Sequence, residues 1–155
     1  WADPAQDNIR FQIAKKFEEK GDLDRALLDY QNFLVEEPKS QMGYNALGRV
    51  YSKKKAYGQA ALNYQEVLKL NPSNSTALKG LGKTREAQGF KEKAIAQYRL
   101  LADTSPEDKN WAESKIKTLM ALKKSNQGGK VSDLTSPQDG FDYTSSLFKK
   151  GQRLT

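Results

Sequence analysis

Basic side chains recur at a constant interval along this sequence. Lys15, Arg49, Lys83 and Lys117 each stand 34 residues after the one before. If the fold brings them to one face, these cations repel each other unless an anionic ligand or an acidic peptide offsets their charge. The spacing therefore predicts a surface that binds negative charge. The alternative interpretation is a lysine-rich, solvated surface that keeps the protein in solution.

Catalytic groups are scarce in this chain. Its 155 residues include no His and no Cys, which excludes imidazole acid–base pairs, thiol nucleophiles, disulfides and thiolate zinc sites. Acidic pairs occur at 18–19, 36–37 and 107–108, but adjacent residues on a helix do not face each other. No phosphate-binding glycine loop and no nucleophile elbow occurs. We therefore expect no enzymatic activity, no cofactor and no metal site.

The elements that position the basic residues follow from an internal repeat. Several other columns of similar residues share the 34-residue step: Ile13, Leu47, Leu81; Ala14, Gly48, Gly82; Ala26, Ala60, Ala94; Tyr30, Tyr64, Tyr98; Pro38, Pro72, Pro106. The apolar residues in each repeat have helical spacing and fall into two groups, which predicts two amphipathic helices, and the proline ends the second one. We expect Gly48 to let the second helix approach closely at Ala60.

The second repeat carries a specific motif. Its members are Tyr44, Leu47, Gly48, Tyr51, Ala60, Tyr64 and Pro72. This pattern resembles the tetratricopeptide repeat family, and the resemblance covers residues 7–106. It implies an all-α fold, a right-handed superhelical stack of three helix-turn-helix repeats, with a C-terminal capping helix and a mostly irregular tail. The expected domain is 1–124, with repeats at about 7–40, 41–74 and 75–108, the capping helix at about 107–124, and the tail at 125–155.

The resemblance implies that the first helix of each repeat lines a concave groove. The candidate partner-binding residues on these helices and on the capping helix are Asn8, Phe11, Lys15, Met42, Asn45, Arg49, Lys53, Lys79, Lys83 and Lys117. Some family members bind a chaperone's acidic C-terminal peptide in a clamp of Lys, Asn and Arg. The corresponding positions here are Phe11, Lys15, Ala46, Thr76 and Gly80, and only Lys15 is basic. We therefore do not expect that particular clamp.

Positive charge is concentrated in the second and third repeats. The whole chain has a formal net charge of +7, whereas residues 1–40 carry 6 basic and 9 acidic residues. Residues 41–106 carry 11 basic and 4 acidic residues. Nucleic-acid binding is one interpretation of this charge. The tyrosines at 30, 64 and 98 occupy expected core positions, however, where they are poor stacking platforms for bases.

The tail combines polar residues with a small apolar cluster. The candidate docking residues are Phe141, Tyr143, Leu147 and Phe148, and a possible short helix near 143–150 would place the last three near one side. We expect this segment either to dock on the repeat surface of its own or a neighbouring chain, or to remain a tail with a coincidental apolar cluster.

These features lead to the leading hypothesis of a non-catalytic protein–protein interaction scaffold or adaptor. It would bind an acidic or carboxylate-bearing partner segment in the basic groove. Family analogy suggests the assembly of a bacterial envelope complex, such as a pilus or secretion complex. The alternative is a nucleic-acid-binding or self-assembling helical-repeat protein that is regulated by its tail.

Cellular location is not fixed by composition. No apolar stretch is long enough to span a membrane. The sequence begins at Trp1 rather than Met, so we expect that a preceding segment was removed. The envelope analogy favours a bacterial periplasm or outer-membrane association over the cytoplasm.

Overall fold

The computed structural model describes Ala5 and residues 8–125, and the regular structure in this part of the chain is helical, without strands. The helices are α1 (Ile9–Glu19), α2 (Leu23–Glu36), α3 (Gln41–Lys53), α4 (Tyr57–Leu70), α5 (Ser75–Ala87), α6 (Lys91–Thr104) and α7 (Lys109–Ser125). The chain divides into two compact units, Trp1–Leu119 and Met120–Thr155. The candidate binding residues from Asn8 to Lys117 belong to the first unit. The predicted tail helix and the tail docking residues Phe141, Tyr143, Leu147 and Phe148 lie outside the described residues.

The helices pair into three hairpins, α1 with α2, α3 with α4 and α5 with α6. A polar side chain caps the N-terminus of the first helix of each hairpin. The N-cap residues of α1, α3 and α5 are Asn8, Ser40 and Asn74, and each side chain accepts a hydrogen bond from the backbone N–H three residues later. Such caps satisfy a donor that the helix itself leaves free. The first helices of the second and third repeats therefore begin at equivalent positions, whereas α1 begins two positions later in its repeat.

The turn inside each hairpin uses a left-handed residue at the same repeat position. Gly21 and Gly89 have φ values of 84° and 83°. Lys55 occupies the equivalent position of the second repeat with a φ of 61°. A side chain disfavours this conformation, whereas glycine adopts it readily. The second turn is thus the strained one.

The small residues on the first helices make room for a tyrosine ring. A Cβ atom built on Gly48 would lie 2.8 Å from ring atoms of Tyr64, and one on Gly82 would lie 2.3 Å from Tyr98. Gly48 therefore does accommodate a close approach of the second helix, but the nearest atoms belong to the Tyr64 ring and not to Ala60. Gly48 and Gly82 thus leave room for the aromatic ring of the second helix close to the backbone of the first, and Ala14 occupies the equivalent position of the first repeat.

The apolar core passes from one hairpin to the next. Phe33 and Leu34 of α2 belong to the same buried cluster as Leu47 of α3. Val67 of α4 shares a cluster with Leu81 of α5, and the α6 core extends to residues of α7. The expected all-α helical-repeat fold is confirmed. No described helix is both long and apolar enough to cross a membrane.

Candidate protein-binding groove

The first helices line two adjoining cavities, which together we call the groove. The first cavity has a volume of about 400 Å³ and is lined by Phe11, Lys15, Glu18, Glu19, Met42, Asn45, Arg49, Lys53 and Thr76. The second has a volume of about 440 Å³ and is lined by Arg49, Ser52, Lys53, Tyr64, Thr76, Lys79, Gly80 and Lys83. The cavities adjoin because they share Arg49, Lys53 and Thr76. Every predicted groove residue except Asn8 and Lys117 lines one of them.

One of the residues that line the first cavity is a buried carboxylate, Glu18. Glu18 is only 6% exposed. Its oxygens accept hydrogen bonds from Arg49 Nε at 2.5 Å, Arg49 Nη2 at 2.8 Å and Lys53 Nζ at 2.8 Å. Tyr30 also donates its hydroxyl to Glu18, at 2.8 Å. Two of the predicted groove cations are therefore paired within the protein, across the junction between the first and second repeats.

This network determines the charge state of the groups in it. Burial alone would raise the pKa of Glu18, but the hydrogen bonds from Arg49, Lys53 and Tyr30 outweigh burial and lower that pKa to about 2. The same carboxylate raises the pKa of Arg49, and burial together with Glu18 raises the pKa of Tyr30. Glu18 is thus ionised at neutral pH. It supplies the negative charge that the spacing argument assigned to an external ligand.

At the second junction, between the second and third repeats, different residue types occupy the positions equivalent to Glu18 and Arg49. Ser52 replaces the carboxylate, and its hydroxyl lies 3.3 Å from Thr84 Oγ1. Burial raises the pKa of Tyr64, as it does for Tyr30. Lys83 is exposed, and it forms no ion pair within the described part of the chain. Its ammonium lies 5.5 Å from the ring centroid of Trp111. Lys83 is therefore the cation of this cavity that has no carboxylate partner among the described residues.

Lys79 is held by the start of α7. Its Nζ donates to Asp108 Oδ1 at 2.8 Å and lies 4.5 Å from the Trp111 ring centroid. The hydrogen bond from Lys79 lowers the pKa of Asp108. A cation over an indole face is attracted by the ring's quadrupole. Lys79 therefore lines the groove, but part of its charge is already offset.

A similar carboxylate arrangement occurs at the third junction, between the third repeat and α7. Glu86, two repeats after Glu18, accepts a hydrogen bond from the Tyr98 hydroxyl and lies 3.0 Å from Lys115 Nζ. The column of Glu18, Ser52 and Glu86 has the same 34-residue step as the basic column. The spacing of the basic residues does not reveal this column, but its constant distance of 12 residues from the tyrosine column marks Glu18 and Glu86 as partners of Tyr30 and Tyr98.

Asn45 adds an unused hydrogen-bond acceptor beside the first cavity. Its Nδ2 donates to Asn74 Oδ1 at 3.3 Å, and Asn74 Oδ1 also accepts from the backbone N–H of Ala77 at 2.9 Å. Because Asn74 Oδ1 is an acceptor, the amide nitrogen of Asn45 must face it. Asn45 Oδ1 is then buried, with no hydrogen-bond partner in the described region.

The remaining predicted residues fall in three different places. Lys15 is exposed on the first cavity, and no ion pair joins it to another described residue. Asn8 caps α1 and borders a separate cavity, whereas Met42 and Thr76, which follow it at 34-residue steps, line the first groove cavity. Lys117 is exposed on α7 and lines neither groove cavity. The basic column thus does not act as one continuous stripe.

The groove offers charge and apolar surface to a ligand. Among the described residues no group of three acidic, His or Cys side chains could hold a metal ion. Met42 is half-buried and presents apolar surface to the first cavity, whereas Phe11 lines it as a core residue that is only 4% exposed. Lys83 presents a cation to the second cavity. This combination suits a segment of another protein.

Comparison with known proteins finds one family model that matches part of the chain. Residues 46–109 match the family model described as tetratricopeptide repeat. No curated protein matches the sequence.

Solved structures match the fold over about three-quarters of the chain. The first TPR of Spaghetti (RPAP3), bound to the HSP90 peptide SRMEEVD, has a TM-score of 0.69 and 18% identity, covering 74% of this chain and 90% of that one. The type III secretion translocator chaperone SycD of Yersinia enterocolitica has a TM-score of 0.70 and 14% identity, covering 74% and 83%. The TPR2B domain of yeast Sti1, in its pHsp70 complex, has a TM-score of 0.69 and 12% identity, covering 76% and 97%. At these identities the likeness shows the fold alone.

Proposed function

We propose that this chain, a member of the tetratricopeptide repeat family, is a non-catalytic scaffold that binds an acidic segment of a partner protein. The binding site is the groove formed by α1, α3 and α5. The acidic group of the partner binds at the second cavity, and an apolar side chain of the partner packs on Phe11 and Met42 in the first.

The observation that carries this proposal is that Lys83 lines the second cavity without an acidic partner among the described residues. Its cavity is also lined by Arg49, Lys53 and Lys79, and no acidic residue lines it. Arg49 and Lys53 both pair with Glu18, and Lys79 pairs with Asp108, whereas Lys83 has no such partner among the described residues. A ligand carboxylate there gains attraction without breaking an internal pair.

The structural relatives are consistent with an acidic ligand. The Spaghetti domain was solved with the HSP90 peptide SRMEEVD, which is acidic. The contacts in this chain must differ, because Phe11, Ala46, Thr76 and Gly80 occupy the positions where the clamp of such domains has polar or basic residues. We propose recognition of an acidic segment without that clamp.

The assembly of a bacterial envelope complex is the finer proposal for cellular role. SycD acts, by its description, as a chaperone of type III secretion translocators, and it shares the fold of this chain. A partner from a pilus or secretion complex would fit this proposal. Its test is co-purification of the full-length protein with such a complex after cross-linking in the native organism.

The binding test uses one pair of variants that change the charge identically. Lys83 lies in the groove, whereas Lys117, in the same 34-residue column, lies outside both groove cavities. An array of acetylated, amidated eight-residue peptides would be screened in matched sets, with each Glu or Asp replaced by Gln or Asn. At physiological salt, exposed charges farther apart than about 8 Å are largely screened, so the two variants can be distinguished.

We expect the wild-type protein to select acidic members of the array. Lys83→Glu should weaken the best peptide at least about tenfold, equivalent to about 1.4 kcal/mol, and Lys117→Glu should leave its affinity within about twofold. Equal losses for both variants would mean that only net charge matters. If polynucleotide binds with a steep salt dependence and no peptide is selected, the nucleic-acid alternative replaces this proposal.

A further inference from the structure

The outer face of the first hairpin exposes a pair of isoleucines. Ile9 is 76% exposed and Ile13 is 45% exposed, which is unusual for large aliphatic residues on the first helix of these repeats. They border a cavity of about 650 Å³ together with Asn8, Arg10, Asp29 and Glu36. We call the surface formed by Ile9, Ile13 and these neighbours the end face. It shares no lining residue with the groove.

The second repeat shows what covers an equivalent surface. Gly43 and Leu47 stand 34 residues after Ile9 and Ile13, and Leu47 is only 5% exposed. A Cβ atom built on Gly43 would lie 2.7 Å from Leu34 Cδ2 and 3.1 Å from Phe33 Cε1. Both of these residues belong to α2, so the second helix of the preceding hairpin packs directly on this face.

The third repeat repeats that arrangement. Ala77 and Leu81 occupy the equivalent positions, and Leu81 is 2% exposed. They share a buried cluster with Val67 of α4, and Leu68 packs against the same cluster. The end face is therefore the first member of a series whose other members each bind an amphipathic helix. No helix in the described part of the chain covers it.

The residues of the end face also constrain the shape of its occupant. Ile9 stands where the other repeats have Gly43 and Ala77, so a helix that binds here must present a small residue opposite Ile9. The rim is mixed in charge, with Arg10 Nη2 3.1 Å from Glu36 Oε1 and with Asp29 nearby. An acidic peptide of the kind proposed for the groove gains no net attraction here.

We propose that the end face binds an amphipathic helix of a partner protein, which extends the stack beyond α1. The helix places a small residue against Ile9 and a larger apolar residue against Ile13. This site is separate from the groove, so the scaffold can hold a helix and an acidic segment at the same time.

The probe is a peptide taken from the chain itself. A peptide with the sequence of residues 56–71 contains Val67 and Leu68, which are the repeat equivalents of Phe33 and Leu34. Acetylated and amidated versions with the native sequence and with Leu68→Ala would be titrated into the intact chain carrying labelled isoleucine methyl groups. NMR shifts of Ile9 and Ile13 report binding at the end face directly.

We expect saturable shifts at Ile9 and Ile13, with the Leu68→Ala peptide binding at least about threefold more tightly than the native peptide, because Ile9 needs a small partner. In Ile9→Gly the preference should reverse. Ile13→Asp should abolish binding, whereas Leu62→Asp, which changes an exposed leucine on α4, should not. Circular dichroism would verify that each variant keeps its helices.

Three results would overturn the proposal. One is the absence of methyl shifts at millimolar peptide, and another is binding that survives Ile13→Asp. The third is a concentration-dependent shift of Ile9 and Ile13 without peptide, because it would assign the end face to a second copy of the chain. None of these outcomes affects the peptide array, so the groove proposal is judged independently.

Discussion

Glu18, Tyr30 and Arg49 at the first junction correspond to Ser52, Tyr64 and Lys83 at the second, one 34-residue step later. At the first junction the carboxylate of Glu18 joins the tyrosine hydroxyl to the guanidinium of Arg49. At the second junction a serine hydroxyl takes the place of the carboxylate, and the cation remains exposed.

The difference shows that position and role are separate properties in this repeat. The 34-residue step fixes where a groove side chain lies. Whether its charge is paired within the protein depends on the residue type in a second column, which has Glu18 at the first junction and Ser52 at the second. Arg49 therefore stabilises the junction between repeats, whereas Lys83 remains available to a ligand. A basic column read alone overstates the number of cations that can bind a partner.

Removal of the buried carboxylate should have the largest effect on this contrast. Glu18→Gln deprives Arg49 and Lys53 of their counter-charge, and we expect it to reduce the free energy of unfolding by about 3 kcal/mol. The loss stays at the low end of the range for buried pairs because both cations are partly exposed. Urea denaturation at neutral pH measures it.

The matched control is Glu66→Gln, which breaks the exposed pair of Lys69 and Glu66 on α4. It should cost less than about 1 kcal/mol. Equal effects of the two substitutions would show that Glu18 is no more important than a surface charge.

The contribution of Glu18 should also depend on pH. Its pKa falls from an ordinary value of 4.5 to about 2 in the folded protein, so the stabilisation is complete above about pH 4.5 and disappears as the pH falls towards 2. The stability difference between wild type and Glu18→Gln should shrink by about 2 kcal/mol between pH 5 and pH 3. Parallel urea titrations test this, and a difference that stays constant over this range would contradict the charge network.

The second junction can be given the chemistry of the first. Ser52→Glu places a carboxylate at the position equivalent to Glu18, where it should offset the charge of Lys83. We expect the affinity for an acidic peptide to fall about tenfold, or about 1.4 kcal/mol. Fluorescence anisotropy would compare it with Ser52→Gln, which has the same size but no charge. Similar losses in the two variants would indicate steric blockage instead.

The smallest expected effect concerns the turns that flank the two junctions. Lys55 has the left-handed conformation that Gly21 and Gly89 adopt in the other repeats. Lys55→Gly should raise the free energy of unfolding by about 1 kcal/mol. Gly89→Ala should lower it by a similar amount, since no atom lies within 4 Å of the added Cβ and only backbone strain contributes. Thermal denaturation of both variants checks the opposite signs.

Much of the fold could be predicted from the sequence because the repeat is regular. The tyrosine, alanine and proline columns located all three hairpins, and the groove residues other than Asn8 and Lys117 line the groove. The packing partner of Gly48 was predicted incorrectly, because spacing shows that a small residue is needed but not whether a helix backbone or a Tyr64 ring fills the space.

The sequence by itself determined the helical repeat, the positions of the first helices and the uneven distribution of charge, since these depend on periodicity and composition. Only the tertiary structure decided which charges remain free. Glu18 and Arg49 are 31 residues apart, and they meet because the first two hairpins stack with α1 beside α3. The end face likewise follows from stacking, because Ile13 and Leu47 occupy the same repeat position, and within the described part of the chain a preceding helix covers Leu47 but not Ile13.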